Sequence, residues 1–508
     1  MCGGSGIIPI IAAVTTLWIG WRLWRFTISP LLNPDAPKPL PYLVPFFGHV
    51  RGMAANSAQV FSTGRKYFGN AREPWSLTIM GEDTYIITSP TDILAVYRET
   101  VKLDPDAIVK DVLADFGVSL TNVNKLFDRR GTPRHAMDHC HDLFKTQLHP
   151  GDHLEALQDI FLANIDALLN WDRIADPMVL ASHGTTSRRV SLWKWCGNVL
   201  VDSATRAFSG NAIYRVAPNI VDDFFLFDDE AWKLPYRYPK FAARTMYDAK
   251  ARCEAAFADF LALPKQERAD ASWIVGALEK VYEDLGIDEP TQRGPMLFSL
   301  HRVTNSNAYR LCFWSVAHLL HNPNLLEAIK SEMKPAMTRS ADKSVDMSYL
   351  LDSCPRLASF YEEILRITND PIGIRLVARK VTIGGKVLEP GRKVLMPYRQ
   401  MHYDSAVFGK DVAKFDSDRF LNNHSVYRSS SWKPFGGGTM YCPGRFLAKR
   451  EVYMFLALFL FRFDVKLAPA SPGSKIKLPD LDETIPAGGI LPPVPGGDVI
   501  VDVTPVSL

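Results

Sequence analysis

Near the C-terminus, Phe435-Gly436-Gly437-Gly438-Thr439-Met440-Tyr441-Cys442-Pro443-Gly444-Arg445 sets one thiol in a run dense with glycine. A buried cysteine that must act as thiolate needs its sulfur stabilised, because a buried anion without partners is costly. Backbone N–H groups of a glycine-rich turn, and those of the first turn of a following helix, can supply that stabilisation. Gly438 and Gly444 permit positive φ and close approach of backbone to a flat partner. Val452, Phe455, Leu456, Phe459, Leu460 and Phe463 then recur at helical spacing, so a buried helix should begin just after Cys442. A buried cysteine alone is more often simple packing. The four fixed positions Phe435, Gly438, Cys442 and Gly444, with the helix register behind them, argue for thiolate chemistry instead.

Other elements must hold that loop. Pro355 to Thr368 carries a helical stripe of Leu357, Phe360, Tyr361, Ile364 and Leu365, with Glu363 and Arg366 on a shared face at i, i+3. Such a pair is commonplace by itself; its value lies in preceding the cysteine loop with a strand-rich stretch, around Val381–Met396, between them. Lys414-Phe415-Asp416-Ser417-Asp418-Arg419-Phe420 comes just before the loop. Upstream, His321-Asn322-Pro323 marks the end of a helix, since proline does not continue one. That helix contains Val303-Thr304-Asn305-Ser306-Asn307-Ala308 and the apolar run after it.

The pattern F-x-x-G-x-x-x-C-x-G resembles the haem-thiolate loop of the cytochrome P450 superfamily. By that resemblance Cys442 is the axial ligand of a haem b (iron protoporphyrin IX), and Phe435, Gly438 and Gly444 shape its loop. Glu363, Arg366 and Arg419 resemble the family's E-x-x-R and meander triad, which locks the cysteine pocket and does no chemistry. Arg375, in Ile372-Gly373-Ile374-Arg375, stands where many members direct an arginine to a haem propionate; a strand arginine facing solvent is the alternative. Two departures matter. Met440 replaces the Arg or His that usually precedes the cysteine by two, so Arg375 becomes the candidate for charge compensation. Ser306-Asn307 stands where most members carry an acid–alcohol pair. Asn307 there, the following Phe-Trp, and Cys-Pro-Gly-Arg in the loop resemble the sterol 7α/12α-hydroxylase and prostacyclin synthase branch.

The resemblance implies a mainly α fold with small β-sheets, and oxygen activation that needs electron push from sulfur and protons at the distal face. Asn307 could hold a water there, with Ser306 or Thr304 assisting. The expected function is a monooxygenase acting on a lipophilic terpenoid, sterol or fatty-acid-like substrate, with electrons from NADPH through NADPH–cytochrome P450 reductase. The alternative is a haem-thiolate isomerase or dehydratase that takes a peroxide or oxidised lipid and needs no external electrons. A remoter one is a non-catalytic haem carrier with His301 or Arg302 as an internal ligand.

The 508 residues are 47% hydrophobic and 22% charged, which is ample for a large core. A net charge of +3, without blocks of like charge, gives no reason to expect nucleic acid. The seven cysteines are scattered and form no C-x-x-C pair, so neither a disulfide framework nor a zinc site is expected. From Met1 to Trp21 no residue is charged, and Arg22 and Arg25 follow. That length and charge order predict a retained single-pass membrane helix with the bulk of the chain on the cytoplasmic side. We therefore expect an anchor over residues 1–28, a Pro-rich hinge over 29–45 that acts as a stiff spacer, and one catalytic domain over 46–508. The resemblance to microsomal members places it in the endoplasmic reticulum membrane.

Overall fold

A computed structural model describes residues 7–129, 131–184, 186–338, 345–470, 473, 475–486 and 488–506. Helix predominates, as the apolar periodicities require. Helix α1 (Ile7–Leu23) runs on through a π turn at Trp24–Ile28 into a short helix at Ser29–Leu32. Its apolar side chains Ile10, Ile11, Val14, Leu17 and Ile19 are exposed. The end of this segment is fastened to the fold: Arg25 pairs with Asp83 at 2.5 Å, and the Trp18 indole donates to the Leu43 carbonyl at 2.8 Å. Among the described residues no helix is long and apolar enough to cross a membrane. The 17 residues of α1 fall short of the roughly 20 that a span needs, and residues 1–6 of the expected anchor lie outside the described residues.

The proline-rich segment differs from a free spacer. Strand β1 (Lys38–Pro39) lies parallel to β2 (Trp75–Ile79), and the Asp35 carbonyl accepts from the Val387 N–H at 2.7 Å. Proline is tolerated there because an edge strand need not donate on its open side. With β3 (Glu82–Ile86), β4 (Leu103–Asp104), β7 (Ile372–Val377) and β10 (Lys393–Pro397), these strands form a sheet ordered β1-β2-β3-β10-β7-β4. A second, antiparallel sheet joins β5 (Val179–His183), β6 (Ser187–Ser191), β11 (Phe463–Ala468) and β12 (Ile500–Pro505). Between β7 and β10 sits the hairpin of β8 (Val381–Ile383) and β9 (Lys386–Leu388).

The helices that position the site are α2 (Pro90–Arg98), α3 (Ile220–Asp228), α4 (Arg244–Ala262), α5 (Pro290–Asn305), α6 (Ala308–Leu320), α7 (Pro355–Thr368) and α8 (Arg445–Arg462). One hydrophobic core runs through α3 to α8, with Phe224, Phe257, Phe298, Phe313, Phe360 and Phe455 buried in it. The helix expected before His321-Asn322-Pro323 does stop there, but it is broken at Ser306–Asn307 into α5 and α6. Short polar side chains compete with the helix for backbone partners. Here the Asn307 Oδ1 accepts from the Ile490 N–H at 2.9 Å, so the break is bonded to a distant loop.

Candidate functional site

Cys442 lies between a tight turn at Gly438–Met440 and the first turn of α8. Gly438 has φ +64°, a conformation that only glycine adopts freely. Gly444 does not: its φ is −75° and a Cβ there would meet the Cys442 Sγ at 3.7 Å, an ordinary contact. Of the two glycines, Gly438 uses positive φ and Gly444 does not. The Cys442 N–H donates to the Phe435 carbonyl at 3.1 Å, which closes the loop. Burial pushes the Cys442 thiol up, while the N–H groups of Gly444 and Arg445 and the Arg445 charge draw it back down. The Arg445 guanidinium bonds the Cys442 carbonyl at 2.9 Å and stacks over the Tyr441 and Phe446 rings. The sulfur is thus set where helix-terminal N–H groups favour its anion.

Glu363, Arg366 and Arg419 come together in the interior. Arg366 grips Glu363 with two bonds of 2.8 Å, and Arg419 Nε reaches the same carboxylate at 3.1 and 3.2 Å. The remaining guanidinium hydrogens go to backbone carbonyls: Arg366 to His402 and Val412, Arg419 to Phe408, Asp411 and Lys414. The triad thus fixes the segment leading into the cysteine loop and leaves no atom facing a ligand.

A chain of bonds links this region to the helix break. Asn369, which follows α7, donates to the Pro434 carbonyl at 2.6 Å and pairs with Ile490, whose N–H the Asn307 Oδ1 holds. A Cβ on Gly489 would lie 2.1 Å from that Oδ1, so only glycine fits. Asn307 and Val303, one turn apart, are both exposed although His301, Asn305 and Ser306 beside them are buried. They form an accessible patch on helices that are otherwise largely buried. The Thr304 hydroxyl turns back to the carbonyls of Leu300 and His301, at 3.2 and 3.0 Å. His301 lies on the far side of α5 against the Phe224 and Phe257 rings, and burial holds its imidazole down at about 3.

With this geometry in view, residues 305–489 match the family model for cytochrome P450. Cytochrome P450 monooxygenase poxD of Penicillium oxalicum is 24% identical over 475 residues, which cover 91% of this chain and 94% of its own. Cytochrome P450 7A1 of Sus scrofa is 22% identical over 519 residues and 96% of each chain. Cholesterol 7-alpha-monooxygenase of Cricetulus griseus is 30% identical over 215 residues, 38% of this chain and 41% of its own. The family model and these relatives support the cytochrome P450 superfamily for this chain. The resemblance to the sterol-hydroxylase branch is borne out by the last two relatives.

A P450 holds haem, and the residues present suit its anionic edge. Arg375, on β7, is buried, yet within 4 Å it has no carboxylate among the described residues. Its hydrogen bond goes to the neighbouring Ile374 carbonyl at 2.7 Å, and burial pushes its guanidinium down. A buried cation without an anion is costly, so the site expects one. Beside it the Tyr97 hydroxyl of α2 donates to that of Tyr398 at 2.8 Å, and the Arg375 guanidinium lies 5.9 Å from the Tyr97 ring. Tyr97 also packs on the cysteine loop, where a Cβ at Gly437 would come within 2.6 Å of its ring. This cluster of donors lies where Met440, which is exposed, brings no charge. Sequence reading reached Arg375 but not the tyrosines, whose partnership across 301 residues leaves no local pattern.

Proposed function

We propose that this P450 is a monooxygenase that oxidises a lipophilic terpenoid, sterol or fatty-acid-like substrate with dioxygen and electrons passed from NADPH by a reductase. The single observation that carries the reading is Cys442 at the start of α8, with the Gly444 and Arg445 N–H groups turned to its sulfur. Haem b, when bound there, supplies the redox chemistry of dioxygen and of the substrate carbon. What this chain supplies is position and polarity. Cys442 would hold the iron through its thiolate, and Arg375 with the Tyr97–Tyr398 pair would hold the propionates. The Asn307 Oδ1 is held by the Ile490 N–H, which leaves its amide Nδ2 to donate to a water. The Thr304 hydroxyl is spent on helix carbonyls and Ser306 is buried, which favours Asn307 for holding the water that carries protons.

That same arrangement favours the second reading, an isomerase or dehydratase that needs no external electrons, because it offers no acid–alcohol pair. Product formation with and without NADPH and reductase separates the two. Strict dependence on NADPH supports the monooxygenase; turnover of a lipid peroxide without it overturns that in favour of the isomerase. We also place the protein in the endoplasmic reticulum membrane, with residues 1–28 as its anchor and residues 46–508 as a cytoplasmic catalytic domain. The exposed apolar side chains of α1 and the Arg22 and Arg25 that follow support this.

A further inference from the structure

Arg302, on α5, belongs neither to the triad nor to the haem cradle, and it has no partner of its own. Protein surrounds it deeply enough that burial pushes its guanidinium down, yet part of the side chain stays open. It is the chain neighbour of Val303, which is exposed on the same helix. Its Nε is buried without a hydrogen bond, and among the described residues it forms no ion pair. The opposite charge that acts on it most is Asp228 of α3. That carboxylate is already taken, by Arg310 at 2.5 Å and by the Tyr309 hydroxyl at 3.0 Å. Asp229 next to it acts on Arg310, and burial pushes its carboxyl up, so it is a poor counter-charge for a second arginine.

The group is therefore two guanidiniums around one committed carboxylate. An uncompensated cation in the interior is costly, and side chains that cannot be neutralised are kept there only with a counter-ion. Arginine also cannot shed its proton, and its fork matches two oxygens of one acid. We propose that Arg302 binds the carboxylate of the substrate, so that the lipophilic molecule this P450 oxidises is an acid. This rests on the reading of the space above Cys442 as the substrate chamber. It also sets the position of attack. Arg302 and Asn307 are five residues apart, with the break between α5 and α6 beginning after Asn305. A substrate held by its acid end at Arg302 is then oxidised at a carbon remote from the carboxyl group.

The test uses the full-length haem-loaded protein and reads the substrate-induced shift of the Soret band. The probes are dodecanoic, abietic and oleanolic acids, each beside its methyl ester. We expect at least one acid to bind about tenfold or more tightly than its ester, roughly the effect of one good charged contact. Arg302→Gln should abolish that preference, and Arg302→Lys should keep part of it. Esters that bind as well as their acids, a preference that survives Arg302→Gln, or no binding by any acid would each overturn the inference. A second readout needs no ligand. Arg302→Met should raise the melting temperature of the substrate-free holoprotein, because it removes an uncompensated charge; a fall would show that a protein group already satisfies Arg302 and would overturn it too. The carbon monoxide spectrum separates this from the underlying reading. If its thiolate band is present in wild type and Arg302→Gln, a failed acid preference removes only the role of Arg302.

Discussion

Replacing Glu363 with alanine removes the acceptor that Arg366 and Arg419 share. Four nitrogen–oxygen contacts of 2.8 to 3.2 Å are lost, together with the bond from the Asp416 N–H at 3.0 Å. Both arginines stay buried, still bonded to backbone carbonyls but with no counter-charge. Breaking a buried pair from one side costs about 3–5 kcal/mol, a large part of the roughly 5–15 kcal/mol that keeps a protein folded. An unfolding entropy of about 2.1 cal/mol/K per residue, over a chain of 508, makes 1 kcal/mol worth close to 1 °C. Glu363→Ala should therefore lower the melting temperature by about 3–5 °C and leave most of the purified protein without haem. Thermal scans at one heating rate and the haem-to-protein absorbance ratio measure both. Glu363→Gln, which keeps the volume and one acceptor, should lie between. Full haem content and a melting temperature within about 1 °C of wild type in Glu363→Ala would refute the reasoning.

Gly489→Ala should act like a lesion at Asn307, since its Cβ would fall 2.1 Å from the Oδ1 that holds Ile490; the ratio of NADPH consumed to product formed should rise, and an unchanged ratio would show that the tie is dispensable. Burial pushes the Asp370 carboxyl up to about 6, above its ordinary range, so the fold favours the protonated form. Its contribution is full below about pH 4 and is lost as pH rises through 6, a change on the order of 2–3 kcal/mol. Asp370→Asn should flatten the melting temperature across that window and raise it at neutral pH; an unaltered profile would assign the dependence elsewhere. Deleting residues 1–28 should move the protein from the membrane pellet towards the soluble fraction with its haem spectrum intact, whereas lost haem binding would make the segment part of the folded domain.

The parts of the site that sequence made legible are those with short-range spacing. Phe435, Gly438 and Cys442 are fixed by one turn, and Glu363 and Arg366 by one helix face. The helix after Cys442 was legible because Val452, Phe455, Leu456, Phe459 and Leu460 are all buried. What stayed hidden depends on contacts between distant segments. The break at Ser306–Asn307 needs Ile490 as partner, 183 residues away. The Tyr97–Tyr398 pair joins α2 to the end of β10, and no periodicity announces it. The pairing of β1 stayed hidden because proline is as much at home in an edge strand as in a free spacer.

The central claim is that Cys442 binds haem iron as thiolate. The carbon monoxide difference spectrum of the dithionite-reduced, full-length protein tests it most directly, alongside Cys442→Ala. The account predicts the long-wavelength Soret band of a thiolate-ligated haem in the wild type and its complete loss in the variant. The same band in Cys442→Ala, or its absence from a fully haem-loaded wild type, would contradict it.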